Sequence, residues 1–372
     1  MRAKHIDVAR ALCIVLVVFG HSELAKHFSH ANGILTSFRM PLFFIIAGSF
    51  FAPRHSLTET IVRKGDALIK PYLALAVLYA PFYLHGHPDE AWLSYGSAVL
   101  SFNGQEMPGR LMPLWFLTLL WALHVGCRLF VQATGFERAD RSRQVCWTIV
   151  LLLVGYTLLR GLGFNAGQTD EAMPLPNGLP FSLQLWPLSA FFFLTGYLLS
   201  REIRSWSLGR SATLVAALVF ATLHLQYKPS MDLLQHHYAD LVVTTVAALS
   251  GALAVIGLSH ELARIPAMQQ ILAPLGRRSL YVLMFHAPLL TLTTRLLVGL
   301  REDLPSAWLA TASLLLSVAA SYVLGNLIRQ MPALRLLFEP RHRFASAGRP
   351  PAPAMLTPDL PDDTSEAIRL QS

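Results

Sequence analysis

The chain has little charge and little cysteine. Asp, Glu, Lys and Arg make up only 14% of its 372 residues, against about 25% in an ordinary soluble domain, and that deficit argues against a water-soluble globule. Cys13, Cys127 and Cys146 fall in or beside separate apolar runs with no C-x-x-C or metal-like spacing. They read as small packing residues, and no metal is expected. Also missing are a G-x-S-x-G elbow, an H-E-x-x-H helix and a P-loop. Soluble-hydrolase, zinc-protease and nucleotide-triphosphatase chemistries therefore lack support. No internal repeat suggests a transporter built from two related halves.

What is present is hydrophobic length, since 53% of the residues are apolar. Runs of roughly 17 to 25 apolar residues, long enough to cross a bilayer as helices, lie near 6–23, 34–52, 67–84, 113–131, 145–163, 183–200, 211–225, 240–259, 279–298 and 307–327. The expected fold class is all-α, a polytopic integral membrane protein of about ten transmembrane helices. The run at 211–225 is short and ends in His224. A nine-helix arrangement with a re-entrant segment there is the alternative. The first 25 residues resemble a signal peptide, but Asp7 and Arg10 interrupt the apolar stretch and no small-x-small cleavage site follows. They are expected to stay as a helix.

The net charge of +8 is informative through its placement. With ten helices, Arg2, Lys4, Arg54, Arg63, Lys64, Lys70, Arg128, Arg138, Arg141, Arg143, Arg201, Arg204, Arg210, Arg264, Arg277 and Arg278 fall on the side of the N-terminus. Only Lys26, Arg39, Arg110, Arg160, Lys228, Arg295 and Arg301 fall on the other. Basic loops stay cytoplasmic, so both termini are expected there. From about Ala345 the chain turns rich in Pro, Ser, Asp and Gly. The expected organisation is a membrane domain over 1–344 and a disordered cytoplasmic tail over 345–372.

The first run, IDVARALCIVLVVFGHSE, carries Asp7, Arg10 and His21. At about 100° and 1.5 Å per residue, Arg10 and His21 differ by about 20° in azimuth and about 16 Å along the axis, with Asp7 within about 60° of both. One face thus carries a cation near its cytoplasmic end and a base deeper in. Ionisable groups at membrane depth mark hydrated cavities or pathways. The plainer alternative is an Arg10 that snorkels to headgroups beside Asp7, with His21 at the far interface.

An Arg, ten intervening residues and a His in this helix resemble the acyltransferase 3 family of membrane O-acyltransferases, especially the fucose 4-O-acetylase-like branch. FRMPLFFIIAGSFF (38–51), LWFLTLLW (114–121), FFFLTGYLL (191–199) and LGRRSLYVLMFHAPLL (275–290) resemble later family blocks in the expected order. The resemblance spans roughly residues 5 to 325. It implies acyl transfer from a cytoplasmic acyl-CoA, usually acetyl-CoA, to a hydroxyl of a polysaccharide or its lipid-linked precursor. The implied location is the bacterial cytoplasmic (inner) membrane, with a glycan and membrane lipid as partners and no nucleic acid. It further implies that His21 is the essential base or acyl-accepting residue and that Arg10 is its partner. Many members carry a pair of arginines just before the third helix; here IVRKGDALIKPY has Arg63, Lys64 and Lys70.

Acyl transfer needs a base, oxyanion stabilisation and a place for the donor's phosphates. His21 suits the base because imidazole titrates near neutrality, with Ser22 or Glu23 as orienting groups. Arg63, Lys64 and Lys70 suit the phosphates of the donor; ordinary positive-inside charge is the alternative. Ser279 and His286 share a face of the ninth segment with roughly 10 Å of rise between them, too far for contact. His286 either lines the cavity of His21 or packs against a neighbouring helix. Trp115 lines a substrate channel or anchors an interface, and Arg39 meets an anionic group or a headgroup. Rival functions are a transporter or flippase of a glycan or small anion, for which buried Arg and His would serve equally, and a scaffold acting through its tail.

Overall fold

The computed structural model describes residues 3–87, 92–161, 178–300 and 305–341. The tail expected at 345–372 lies outside them. Helices α1 (Lys4–His21), α2 (Leu24–His27), α3 (Ser29–Gly48) and α4 (Leu57–Lys64) come first, followed by a π-helical turn at Gly65–Ile69 and α5 (Lys70–Gly86). Next are α6 (Trp92–Leu100), α7 (Trp115–Thr134), α8 (Arg141–Gly161), α9 (Trp186–Leu198), α10 (Ser200–Ser205) and α11 (Gly209–Gln226). Two two-residue strands, β1 (Met231–Asp232) and β2 (His237–Tyr238), form an antiparallel hairpin. The helices α12 (Leu241–Leu262), α13 (Pro266–Arg277), α14 (Ser279–Leu300), α15 (Ser306–Gln330) and α16 (Pro332–Phe338) complete the unit, which runs to Glu339.

Each apolar run anticipated from sequence carries a helix among the described residues, and the doubtful one becomes α11, which packs along α12. Among the described residues eight helical spans are long and apolar enough to cross a membrane. The helices α1 and α11, each 18 residues, stand outside that set. In α1 the reason is visible in the sequence, because Lys4, Asp7 and Arg10 interrupt its apolar character. The short helices α6, α13 and α16 and the hairpin carry no membrane-length hydrophobic run, and run length alone passed over them.

Helix α1 is the hub. It packs against α3, α12, α13 and α14, and Val8, Ala9, Ala11, Cys13, Ile14 and Val18 are completely buried. Close approach depends on small residues, since helices inside a bilayer gain from van der Waals contact rather than from expelling water. At the crossing of α3 and α9, a Cβ on Gly48 would lie 1.8 Å from Phe193 O and one on Gly196 2.1 Å from Ile45 O. Either side chain would force the two helices apart.

The π turn before α5 has a local cause. Pro71 has no N–H to continue the α-helical ladder, and Lys70 N–H instead bonds five residues back, to Gly65 O. The wider turn sets Asp66 and Lys70 2.5 Å apart in an ion pair.

Candidate active site

The last turn of α1 ends in Gly20 and His21, and the glycine decides what lies beside the histidine. From α3, Arg39 lays its guanidinium across Gly20, so close that a Cβ there would sit 1.9 Å from Nη1. Nη1 donates to Leu16 O at 3.2 Å and to Asn32 Oδ1 at 3.5 Å. The Cys13 thiol donates to Arg39 O at 3.2 Å, tying the same stretches of α1 and α3 together. Arg39 therefore turns into the protein, toward His21, and not out to a headgroup.

His21 opens into a cavity of about 80 Å³ whose walls include Arg39, Trp115, Phe116, Asp232 and Leu283. At about 10–15 Å³ per water, that space holds several waters, and polar partners are at hand for them. Trp115, at the start of α7, is buried in this wall rather than standing at an interface. Behind His21 lies His286 of α14, with the ring centroids 5.3 Å apart. His286 is fully buried, and its Nδ1 lies 3.0 Å from Val282 O and 2.9 Å from Leu283 O. A carbonyl only accepts, so Nδ1 carries the proton and Nε2 presents a lone pair. That Nε2 has no hydrogen-bond partner among the described residues. An unsatisfied buried acceptor costs about 1–3 kcal/mol, a cost that persists only where something else holds the ring in place. Ser317 Oγ, donating to His286 O at 3.1 Å, helps to hold that backbone.

The other end of the same helix meets a cluster of cations. Arg10 stands 5.1 Å over the Phe50 ring, and Arg204 approaches the same ring at 6.0 Å. Asp7, only 3% exposed, has Arg10 and Arg277 each at 4.0 Å. Asp7 thus balances charge where α1 meets α13, and α13 comes so close that a Cβ on Gly276 would lie 1.7 Å from Asp7 O. Lys64 interacts electrostatically with Arg10, with Arg63 and with His124 of α7. Because α1 is unbroken from Lys4 to His21, Arg10 and His21 are separated by about 16 Å of helix rise.

The remaining residues singled out from sequence are spread around these two centres. Arg63 pairs with Glu59 at 2.6 Å on an exposed surface, and Glu59 also meets His55 at 2.9 Å. Lys70 is occupied twice, by Asp66 and by Glu339 O at 2.6 Å, which fastens the end of α16 to α5. Ser279 opens α14 two turns before His286 and is not part of the cavity wall. Ser22 turns its hydroxyl back to Phe19 O at 2.7 Å, and Glu23 pairs with Lys26 at 2.8 Å, so neither is turned to orient His21. Among the described residues no group of three or more His, Cys, Asp or Glu side chains is arranged to hold a metal ion.

Sequence reading missed Asp232. It sits in a loop with no periodicity, on a strand two residues long. The one available signal was an acidic residue between two hydrophobic runs on the side opposite the basic loops.

No curated protein and no solved structure shows significant similarity to the chain. Residues 4–326 match the family model described as an acyltransferase domain, Acyl_transf_3. That match takes in the Arg10-to-His21 helix, the Arg39 and Trp115 walls and the His286 helix, and the chain belongs to this family of acyltransferases.

Proposed function

We propose that the chain is a membrane-embedded O-acyltransferase that moves an acetyl group from acetyl-CoA to a hydroxyl of an exported or cell-surface glycan, or of its lipid-linked precursor. The observation that carries this reading is one unbroken helix with a basic cluster at one end and, about three turns on, a histidine open to a small cavity with room for water. A donor with several phosphates and a long flexible thiol arm suits such a helix. Its phosphates need cations and its thioester needs a base, and the two needs lie well apart.

His21 takes the proton from the acceptor hydroxyl as that oxygen attacks the thioester carbonyl. The new C–O bond forms, and the negative charge that develops on the carbonyl oxygen is met by Arg39, whose guanidinium lies beside His21. When the C–S bond breaks, the imidazolium returns its proton to the thiolate, leaving the ester and free CoA. His286 supports this cycle as a positioning residue, because its Nδ1 is fixed by backbone and its ring packs 5.3 Å from the His21 ring. Arg10 and Lys64, with Arg63 at the edge, hold the phosphates. The helices α1 and α11 complete ten membrane crossings, with both termini on the cytoplasmic side, in the bacterial inner membrane.

The test is transfer of labelled acetyl from acetyl-CoA by membranes carrying the wild-type chain or His21→Ala, together with analysis of the surface glycans of a strain deleted for it. The account expects ester formation that depends on His21 and a lost acyl ester in the deletion strain. Substrate movement across proteoliposomes without acetyl-CoA consumption would favour a flippase.

A further inference from the structure

Met231, Asp232, Leu233 and Leu234, from β1 and the turn that follows it, form part of the same cavity wall as His21, and their hairpin is fastened from several directions. Ala239 N–H donates to Ser230 O at 3.1 Å across its base. His236 Nε2 lies 2.8 Å from Gln184 Nε2, and Gln105 Nε2 donates to Leu234 O. Tyr238 OH meets Thr245 Oγ1 at 2.6 Å, and Ser230 Oγ meets His237 Nε2 at 2.7 Å. A wall held from α12, from the loop before α7 and from the turn before α9 keeps a fixed shape.

Asp232 is the carboxylate of that wall. Its Oδ1 accepts from Gln235 N at 3.1 Å, which closes the turn, and its Oδ2 has no hydrogen-bond partner among the described residues. Arg39 lies across from it, near enough for their charges to attract. The titratable side chains in the wall are His21, Arg39 and Asp232. With His21 neutral, as a base must be, the opposite charges of Arg39 and Asp232 cancel. A carboxylate accepts at both oxygens and donates nothing. Its natural complement is a pair of adjacent hydroxyls, while Trp115 and Phe116 offer an apolar wall to a ring's C–H face. A volume of about 80 Å³ has room for the reacting edge of one sugar ring and not for a chain of them.

We infer that the hairpin is the acceptor subsite, that Asp232 binds the hydroxyl next to the one that reacts, and that the acceptor is a neutral sugar with adjacent free hydroxyls rather than a uronic acid or a sugar phosphate. This rests on the acyltransferase reading for what happens to the sugar, but binding can be measured separately from transfer.

The experiment uses the full chain in lipid nanodiscs, as wild type and as Asp232→Asn, which keeps the turn-closing oxygen. The probes are methyl glycosides of neutral hexoses, methyl glucuronide and acetyl-CoA, each titrated for binding. The wild type should bind a neutral hexoside and bind methyl glucuronide more weakly. Asp232→Asn should weaken hexoside binding by about 10-fold or more, the loss expected when a charge-assisted hydrogen bond is replaced by a neutral one. Its acetyl-CoA affinity should stay within about two-fold, a margin well below one such bond, and this also reports that the variant is folded. Equal hexoside binding by the two proteins, no hexoside binding by the wild type, or tighter binding of the glucuronide would each overturn the assignment. Asp232-dependent hexoside binding without His21-dependent cleavage of acetyl-CoA would uphold the sugar subsite and overturn acyl transfer.

Discussion

The two ends of α1 face opposite problems. At the His21 end, groups are few and balanced, with His21, one cation and one carboxylate around a cavity of about 80 Å³ and the His286 ring behind His21. At the Arg10 end, Arg10 and Arg277 flank the buried carboxylate of Asp7, Lys64 interacts with Arg10, and Arg204 shares the Phe50 ring with Arg10. Field strength among a few fixed groups is large, and a misplaced group there is costly. A surplus of half-exposed cations is tolerant, since each charge is screened and its neighbours substitute for it. Losses should therefore be steep and specific at the first end and shallow and additive at the second.

The largest expected effect is that of His21→Ala. Removing a general base costs about 10²- to 10⁴-fold, so ester formation should fall at least that far in a protein that still inserts and binds donor. Gly20→Ala comes next. The added methyl meets the far end of Arg39 and not backbone, so the chain should fold while the guanidinium is pushed from His21, lowering kcat by about 10-fold or more. If its rate matched wild type, Arg39 would have no part in meeting the oxyanion.

At the basic end, Arg10→Ala should raise the KM for acetyl-CoA by about 10-fold, the scale of one lost charge-assisted contact. Arg10→Lys should recover part of that, because the charge survives while the bidentate geometry is lost. The smallest change in donor KM should come from Lys70→Met, because Lys70 is already bound to Asp66 and to Glu339 O. Its effect should appear as a loss of about 1–2 kcal/mol of stability in thermal unfolding, from the lost ion pair to Asp66 and the lost bond to Glu339 O. A large change in donor KM with Lys70→Met would place Lys70 in the donor site and blur the distinction between the two ends.

The contrast was half legible in the sequence. Ionisable residues stand out inside an apolar run, and helical periodicity alone put Asp7, Arg10 and His21 on one stripe. The helices themselves were legible for the same reason, that a bilayer demands length and apolarity. Tertiary contact was not. Arg39 reads as an end-of-helix cation until Gly20 is seen to leave room for it, and His286 meets His21 across a sequence separation that no local pattern encodes. Asp232 is hardest of all, because its place is set by a hairpin whose bonds run to Gln105, Gln184 and Thr245. Charge alone could not rank Arg63, Lys64 and Lys70; only their partners separate a surface pair, a member of the Arg10 cluster and a clasp on α16.

The most direct test of one helix serving both substrates is a single-turnover measurement with labelled acetyl-CoA on the purified chain, reading donor binding and thioester cleavage separately in wild type and His21→Ala. The account predicts donor affinity within about two-fold of wild type and cleavage reduced by about 10²-fold or more. Cleavage near the wild-type rate, or a donor that no longer binds, would contradict it.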